Sequence, residues 1–420
     1  MDFKPLSMNS ITTQKTTTSY SIIIVVACAH LINDLIQFLV PALYPLFKDN
    51  FDLSYLQLGL ITLAQQITAC VLQPLMGLYG DMRPKPLTLA VSLVIVALGV
   101  FLLATASSFA LLLVAAAVLG VGSALFHPEA SRVSRMASGG KLGFAQSTFQ
   151  VGGNTGTALG PLAVVLLVLP MGQSSILWFG LLAALGVILL VWVARWYANH
   201  QRELKAMGPV AKVRSEFPRK TLIIAFAVIG ALLLSKFVYI ETFKSYYNFF
   251  LIEKFGLEIK QAQTCLFIFL GAVAVGTFFG GPVGDRLGHL KVIWVSILGA
   301  LPFALLLPHM NLYGTVVLSV LVGLILSSAF SAIVVYAQEL MPQKVGMVAG
   351  FVFGFAFGIG ALGAAALGAL ADHVGIQQVF SYFSLLLLMG VLTIFLPKGK
   401  RLTATTETTA TVQNTQAEGA

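Results

Sequence analysis

The chain has 420 residues, of which 58% are hydrophobic and 10% charged, and its formal net charge is +9. Soluble domains carry charge on about a quarter of their residues, so this composition, with a mean hydropathy of +0.90, excludes a soluble globule and indicates a polytopic membrane protein. The basic excess is expected to face anionic lipid head groups and calls for no nucleic acid.

Residues 1–19 are polar, rich in Thr and Ser, and lack the apolar core and cleavage site of a signal peptide; they read as a cytoplasmic tail. Twelve apolar runs follow, each about the 20 residues a helix needs to cross the hydrocarbon core. They lie near 20–47, 55–79, 87–107, 109–131, 143–169, 175–197, 221–247, 262–284, 290–310, 313–337, 345–371 and 376–396. Helix one sets His30, Asp34, Gln37 and Pro41 on one face, with Asn33 beside them. A charge at mid-helix is costly in lipid, so this stripe is expected to line a cavity. Asp34 is then a candidate proton carrier, because a low dielectric favours the neutral carboxyl.

After helix two comes the turn Gly77-Leu78-Tyr79-Gly80-Asp81-Met82-Arg83. Helix four carries His127-Pro128, where proline can free backbone groups toward a cavity, then Glu129, Arg132 and Arg135. Two readings of Glu129 stand side by side, a proton site and a counter-charge for Arg132. Arg135 reads as a topology determinant near the helix end. Helix five offers Gln146, Gln150 and Asn154 on roughly one face, together with the close-packing glycines Gly152, Gly153, Gly156 and Gly160. Trp192, Trp196 and Tyr197 beside Arg195 read as an interfacial anchor.

The basic segment 198–220 reads as a linker between two halves, 20–197 and 221–397. Helix seven places Lys236, Tyr239, Phe243 and Tyr247 on one stripe, a cation with aromatic walls, to which helix ten adds Ser327, Ser331 and Tyr336. The alternative for Lys236 is an internal pair with Glu241, although five residues is a poor helical spacing for one. The turn after helix eight, Gly281-Pro282-Val283-Gly284-Asp285-Arg286-Leu287-Gly288, echoes the earlier turn, and Asp81 and Asp285 are 204 positions apart. Lys344-Val345-Gly346 repeats Lys141-Leu142-Gly143 at an offset of 203, and Leu362-Gly363 repeats Leu159-Gly160. Repeats of half the chain are a mark of secondary transporters. Residues 398–420 form a Thr-rich, unpatterned tail, expected to be disordered.

Of the 25 Lys and Arg, 20 fall on the side of the linker and tails, which places both termini in the cytoplasm. Cys28, Cys70 and Cys265 sit singly in apolar runs, so neither a disulfide framework nor a metal centre is expected. Nucleotide-binding loops, nucleophile triads and zinc motifs are all missing, so the chain does not read as an enzyme.

Twelve helices in two halves, with a Gly-x-x-x-Asp turn after helices two and eight, resemble the major facilitator superfamily over residues 20–397. The resemblance implies an all-α membrane fold of two pseudo-symmetric six-helix bundles. It also implies a conformational latch at Gly77, Asp81, Arg83, Gly281, Asp285, Arg286 and Gly288, with the aspartate facing basic groups or a helix N-terminus. Met82 and Pro84 depart from the usual pattern of the first turn. Gly156-x-x-x-Gly160-Pro161 resembles part of the superfamily's antiporter motif, with Val164 and Val165 where glycines are usual. The runs His30-Leu31-Ile32-Asn33-Asp34, Phe126 to Gly140 and Tyr336-Ala337-Gln338-Glu339-Leu340 are similar to the fosmidomycin resistance proteins. That implies export of a small anionic phosphonate from the bacterial inner membrane by proton antiport, with no cofactor beyond the proton gradient.

On this reading the substrate sits among His30, Asn33, Gln37, His127, Arg132, Gln146, Gln150, Asn154, Lys236, Tyr239, Tyr247 and Ser331. Asp34, Glu129 and His30 are the candidates for proton coupling. The expected partners are a small-molecule substrate, protons and the bilayer, with the protein working as a monomer. A transporter of a sugar or organic-anion metabolite is the alternative; a non-transporting receptor is a further one, though no output domain supports it.

Overall fold

The computed structural model describes residues 17–206, 215 and 217–398. Most of both tails and part of the linker, 207–214 and 216, therefore lie outside the described residues. The apolar runs form α1 (Tyr20–Gln37), α2 (Tyr55–Met82), α3 (Thr88–Ala104), α4 (Phe109–Ala137), α5 (Leu142–Ala163) and α6 (Trp178–Ala206). The second half supplies α7 (Arg219–Phe255), α8 (Ile259–Leu287), α9 (His289–Leu306), α10 (Leu312–Ser327, resuming at Ala329–Leu340), α11 (Val345–Val374) and α12 (Ile376–Ser384, continued as a 3-10 helix over Leu385–Phe395). Among the described residues, eleven spans are long and apolar enough to cross a membrane, and α3 is a shorter apolar helix. The protein is an all-α, multi-pass membrane protein.

Several ends differ from expectation. The first run stops at Gln37 and resumes as Leu39–Ala42 and Tyr44–Phe51; Pro41 and Pro45 each lack the N–H that continuous helix pairing needs. The segment expected to begin the linker at 198 instead continues α6 to Ala206. Ala198 to Ala206 hold good helix formers and neither Gly nor Pro, so nothing stops the helix where the apolar run ends. Tyr197, expected as part of an interfacial anchor, is buried with its ring 5.6 Å from the Arg132 guanidinium. Trp196 stacks on His200 instead.

The two halves meet along α2 against α11 and α5 against α8. Glycine makes both seams possible. A Cβ on Gly143 or Gly281 would strike the other's backbone carbonyl, and one on Gly77 would strike the carbonyl of Gly346. These approaches lie at the face that carries the turns 82–88, 137–142 and 287–289, close to Ser19 and Pro397; it is called the terminal face below.

Candidate functional site

The polar stripe of α1 packs inside the first half against α4 and α5. His30 donates from Nδ1 to the Phe149 carbonyl at 2.7 Å and stacks on the Phe149 ring, 4.0 Å between centroids. His127 donates from Nδ1 to the Ser123 carbonyl at 3.0 Å. A backbone carbonyl can only accept, so each Nδ1 carries its proton and each neutral ring turns the Nε2 lone pair the other way. Those two lone pairs face each other at 3.2 Å. Asp34 closes the group, with Oδ2 3.2 Å from His30 Nε2 and Oδ1 3.4 Å from His127 Nε2. All three side chains are buried. Three acceptors aimed at one point repel unless a cation lies between them, and one shared proton removes the conflict.

Asn33 donates to Asp34 Oδ1 at 2.9 Å, and Gln37 donates to the Leu119 carbonyl at 3.0 Å while accepting from Gln65 at 2.7 Å. A cavity of about 60 Å³ adjoins the group, lined by Asp34, Gln37, Thr62, Gln65, Ser123 and His127 among others. Gln65 and Ser123 were missed in sequence because uncharged Gln and Ser are tolerated in apolar runs.

Arg132 does not join this group. Its Nη2 holds both Glu129 oxygens, at 2.5 and 2.6 Å, and its Nη1 donates to the Gly80 carbonyl at 2.5 Å. A spacing of three residues puts acid and base on one helical face, so the expected grouping of Arg132 with Lys236 and His30 is corrected: Arg132 is committed to Glu129 and the α2 turn. Arg135, expected to mark topology, reaches Gln338 of α10 at 3.4 Å.

Gln146 accepts from Ser131 at 2.9 Å, and Ser131 accepts from Gln338 at 3.0 Å, linking α5 and α4 to the second half. Asn154 also points across the seam, to Thr277 of α8 at 3.4 Å, rather than joining the α1 group. Gln150 is buried with no partner for its Oε1 among the described residues.

Lys236 is buried on α7. Its Nζ lies 4.9 Å from the Phe330 centroid and 5.3 Å from that of Phe237, with the Ser327 carbonyl at 3.5 Å. No carboxylate pairs with it among the described residues. Glu241, the expected alternative partner, pairs with Lys244 at 2.7 Å. Tyr239 and Tyr247 are both fully buried: Tyr239 packs on Phe243, and Phe243 and Tyr247 pack near Phe269 and Phe380, so the expected aromatic wall is closely packed. Ser331 is buried with its hydroxyl unpartnered among the described residues, and Tyr336 donates to the Pro397 carbonyl at 2.7 Å. Between Lys236 and His127 stand Phe330 and Phe353, whose centroids are 5.3 Å apart; Phe353 lies 5.3 Å from His127.

The two signature turns end in matching clamps. Asp81 accepts from the N–H groups of Gly346 and Met347 at 2.9 and 2.8 Å, at the start of α11. Asp285 accepts from Gly143 and Phe144 at 2.7 and 2.9 Å, at the start of α5. The first N–H groups of a helix lack internal acceptors and carry partial positive charge, so each carboxylate satisfies two of them across the seam. Gly288, at φ 95°, ends α8 in a conformation open to glycine. Arg83 and Arg286 are exposed. His289, not anticipated, lies buried between Asp285 (3.5 Å) and Glu339 (3.6 Å). Its position four residues after Asp285 was the available signal.

The family model for the Major Facilitator Superfamily matches residues 26–251 and 245–415. The chain is 48% identical over 397 residues to the fosmidomycin resistance protein of Escherichia coli (strain K12), covering 94% of this chain and 98% of that one. It is 40% identical to the uncharacterized MFS-type transporter YfnC of Bacillus subtilis (strain 168), covering 92% and 95%. In fold it resembles the outward conformation of the transporter FucP, with a TM-score of 0.67 at 15% identity over 90% of this chain and 99% of that one. The chain belongs to the major facilitator superfamily, a family of membrane transporters rather than enzymes.

Proposed function

We propose that this transporter exports a small anionic drug of the fosmidomycin class, a phosphonate, in exchange for protons. The observation that carries the reading is the arrangement about Phe330 and Phe353: on one side Lys236, without a carboxylate partner among the described residues, on the other a carboxylate between two imidazoles. A buried ammonium is costly without an anion, so Lys236 is suited to bind one brought in by the substrate. The converging lone pairs of His30, His127 and Asp34 are suited to take and release a proton. A relative 48% identical carries the name fosmidomycin resistance protein, which favours that drug class over an organic-anion metabolite, the second substrate Lys236 could serve.

Alternating access supplies the movement. Gln73, Ser134, Gln146, Ser147, Gln150 and Ser331 are buried with polar atoms unpaired among the described residues. Dry, each such group costs on the order of 1–3 kcal/mol; parting the halves at the terminal face would hydrate them, while the Asp81 and Asp285 clamps oppose that opening. The excess of basic residues favours a cytoplasmic position for this face, and the bacterial relatives favour the inner membrane. Both functional groups come from one chain, which suits a monomer, and a proton gradient suffices as energy source.

Counterflow of fosmidomycin in sealed proteoliposomes, with and without an imposed pH gradient, tests the function. Exchange of labelled drug, with net movement only when the gradient is present, is expected; drug binding without exchange would instead indicate a receptor. The clamps have their own test. Asp285→Ala removes an acceptor of two charge-assisted bonds, each worth roughly 1.5–3 kcal/mol. A single reporter cysteine at Met136, in the wall of a terminal-face cavity that also contains Arg132 and Arg135, should then label roughly tenfold faster or more. Unchanged labelling would reduce the turn to a topology signal.

A further inference from the structure

We infer that His30, Asp34 and His127 form a binding site for a divalent first-row transition-metal ion, and that Zn²⁺ fits the donor set. The site stands on the geometry of the donors. One ligand atom from each residue lies within 4.8 Å of the others. The edges of the group are 3.2 Å between the two Nε2 atoms, 3.2 Å from His30 Nε2 to Asp34 Oδ2, and 3.4 Å from His127 Nε2 to Asp34 Oδ1. Tetrahedral zinc with bonds of 2.0–2.1 Å requires ligand atoms about 3.3 Å apart; each edge is close to that, and because the two carboxylate edges belong to different oxygens of Asp34, a small turn of that carboxylate, or binding through both oxygens, completes the site.

The surroundings match as well as the ligands. A metal-bound imidazole donates its other N–H to a carbonyl or carboxylate, which fixes the ring. Here both rings already do so, His30 to Phe149 and His127 to Ser123. Asn33 Nδ2 donates to Asp34 and steadies the carboxylate. Gly153 leaves the space these groups occupy, since a Cβ there would meet the His30 ring and stand 2.9 Å from Asp34 Oδ2. Two imidazoles and one carboxylate suit Zn²⁺, Ni²⁺ or Cu²⁺, whereas Ca²⁺ and Mg²⁺ favour all-oxygen sites. The adjoining cavity of about 60 Å³, lined by Thr62, Gln65 and Ser123, gives room for a fourth ligand from solvent. All three protein ligands come from α1 and α4 of the first half, so the site does not depend on the second half.

Full-length protein without a histidine tag, purified in detergent and stripped with chelator, is dialysed against Zn²⁺ or Co²⁺. One ion per chain is expected, with the visible absorption of low-coordinate Co²⁺. Loss of an outer-shell partner weakens a metal site 10–100-fold, so loss of a ligand in His127→Gln or Asp34→Asn should weaken binding by about 100-fold or more. His309→Gln, at an exposed histidine, should bind as the wild type does. Gel filtration and thermal melting confirm that each variant is folded. Equal affinity in wild type and His127→Gln, or a loss confined to His309→Gln, would overturn the site. This inference and the proton reading share residues but fail separately. Wild-type protein that moves drug on a pH gradient yet takes up no Zn²⁺ sinks the metal site alone. Asp34→Asn protein that loses Zn²⁺ yet keeps gradient-driven transport keeps the metal site and sinks the proton role.

Discussion

Replacing Asp34 with Asn is expected to reduce pH-gradient-driven accumulation of drug by at least about 100-fold, while exchange of labelled for unlabelled drug without a gradient changes by no more than a fewfold. A carboxylate that carries a proton differs from one that merely joins helices in what its amide can replace. Asn keeps the shape of Asp34 and can donate from Nδ2 to one imidazole, so the packing of His30 on Phe149 and the bonds of both Nδ1 atoms survive. What it removes is the negative charge that draws a proton to the two Nε2 lone pairs. Coupling is then lost and the conformational cycle retained. Full accumulation by the variant in proteoliposomes, at matched protein incorporation, would exclude Asp34 as carrier. Glu129 would be a poor substitute, because Arg132 already holds both of its oxygens and a proton there would strand a buried guanidinium.

Much of this architecture was legible because bilayers impose simple rules, and the misses show where those rules end. The twelve runs follow from length and hydropathy, and all twelve became helices. The repeats Asp81/Asp285 and Gly143/Gly346 were visible at fixed offsets. That Asp285 would hold Gly143, 142 residues away, and Asp81 hold Gly346, 265 residues away, was not: a repeat says that two segments are alike, not which segment each one meets. The family resemblance offered a helix N-terminus as one of two choices, and geometry selected it.

Periodicity had a similar limit on α7. It correctly put Tyr239, Phe243 and Tyr247 on one stripe, yet it could not tell whether that stripe faced a cavity or a neighbour. Phe269 and Phe380, distant in sequence, turn it into packed aromatic core. Asp34 and His30 were legible as an i, i+4 pair. Their meeting with His127 was not, since it depends on how α1 crosses α4, and no motif spacing marks it as a donor set.

Lys236→Gln is expected to weaken binding of the acid form of the drug by roughly 10- to 100-fold, while a neutral diester of the same drug loses less than about threefold. The expectation follows from what surrounds the ammonium. Phe237 and Phe330 offer ring faces at 5.3 and 4.9 Å, and the Ser327 carbonyl stands at 3.5 Å. Ring faces and one long contact contribute about 1–2 kcal/mol, less than the several kcal/mol that removing a cation from water costs. A phosphonate would close that gap with charge-assisted bonds worth roughly 1.5–3 kcal/mol. Gln keeps the reach and a donor, but not the charge. The rival account, an internal pair with Glu241, predicts lower stability and equal loss for both ligands; the observed Glu241 to Lys244 pair leaves Lys236 out of it. Calorimetry on the purified variant, with its melting temperature checked against wild type, separates the two. Equal losses for acid and diester would mean that Lys236 does not meet the anion.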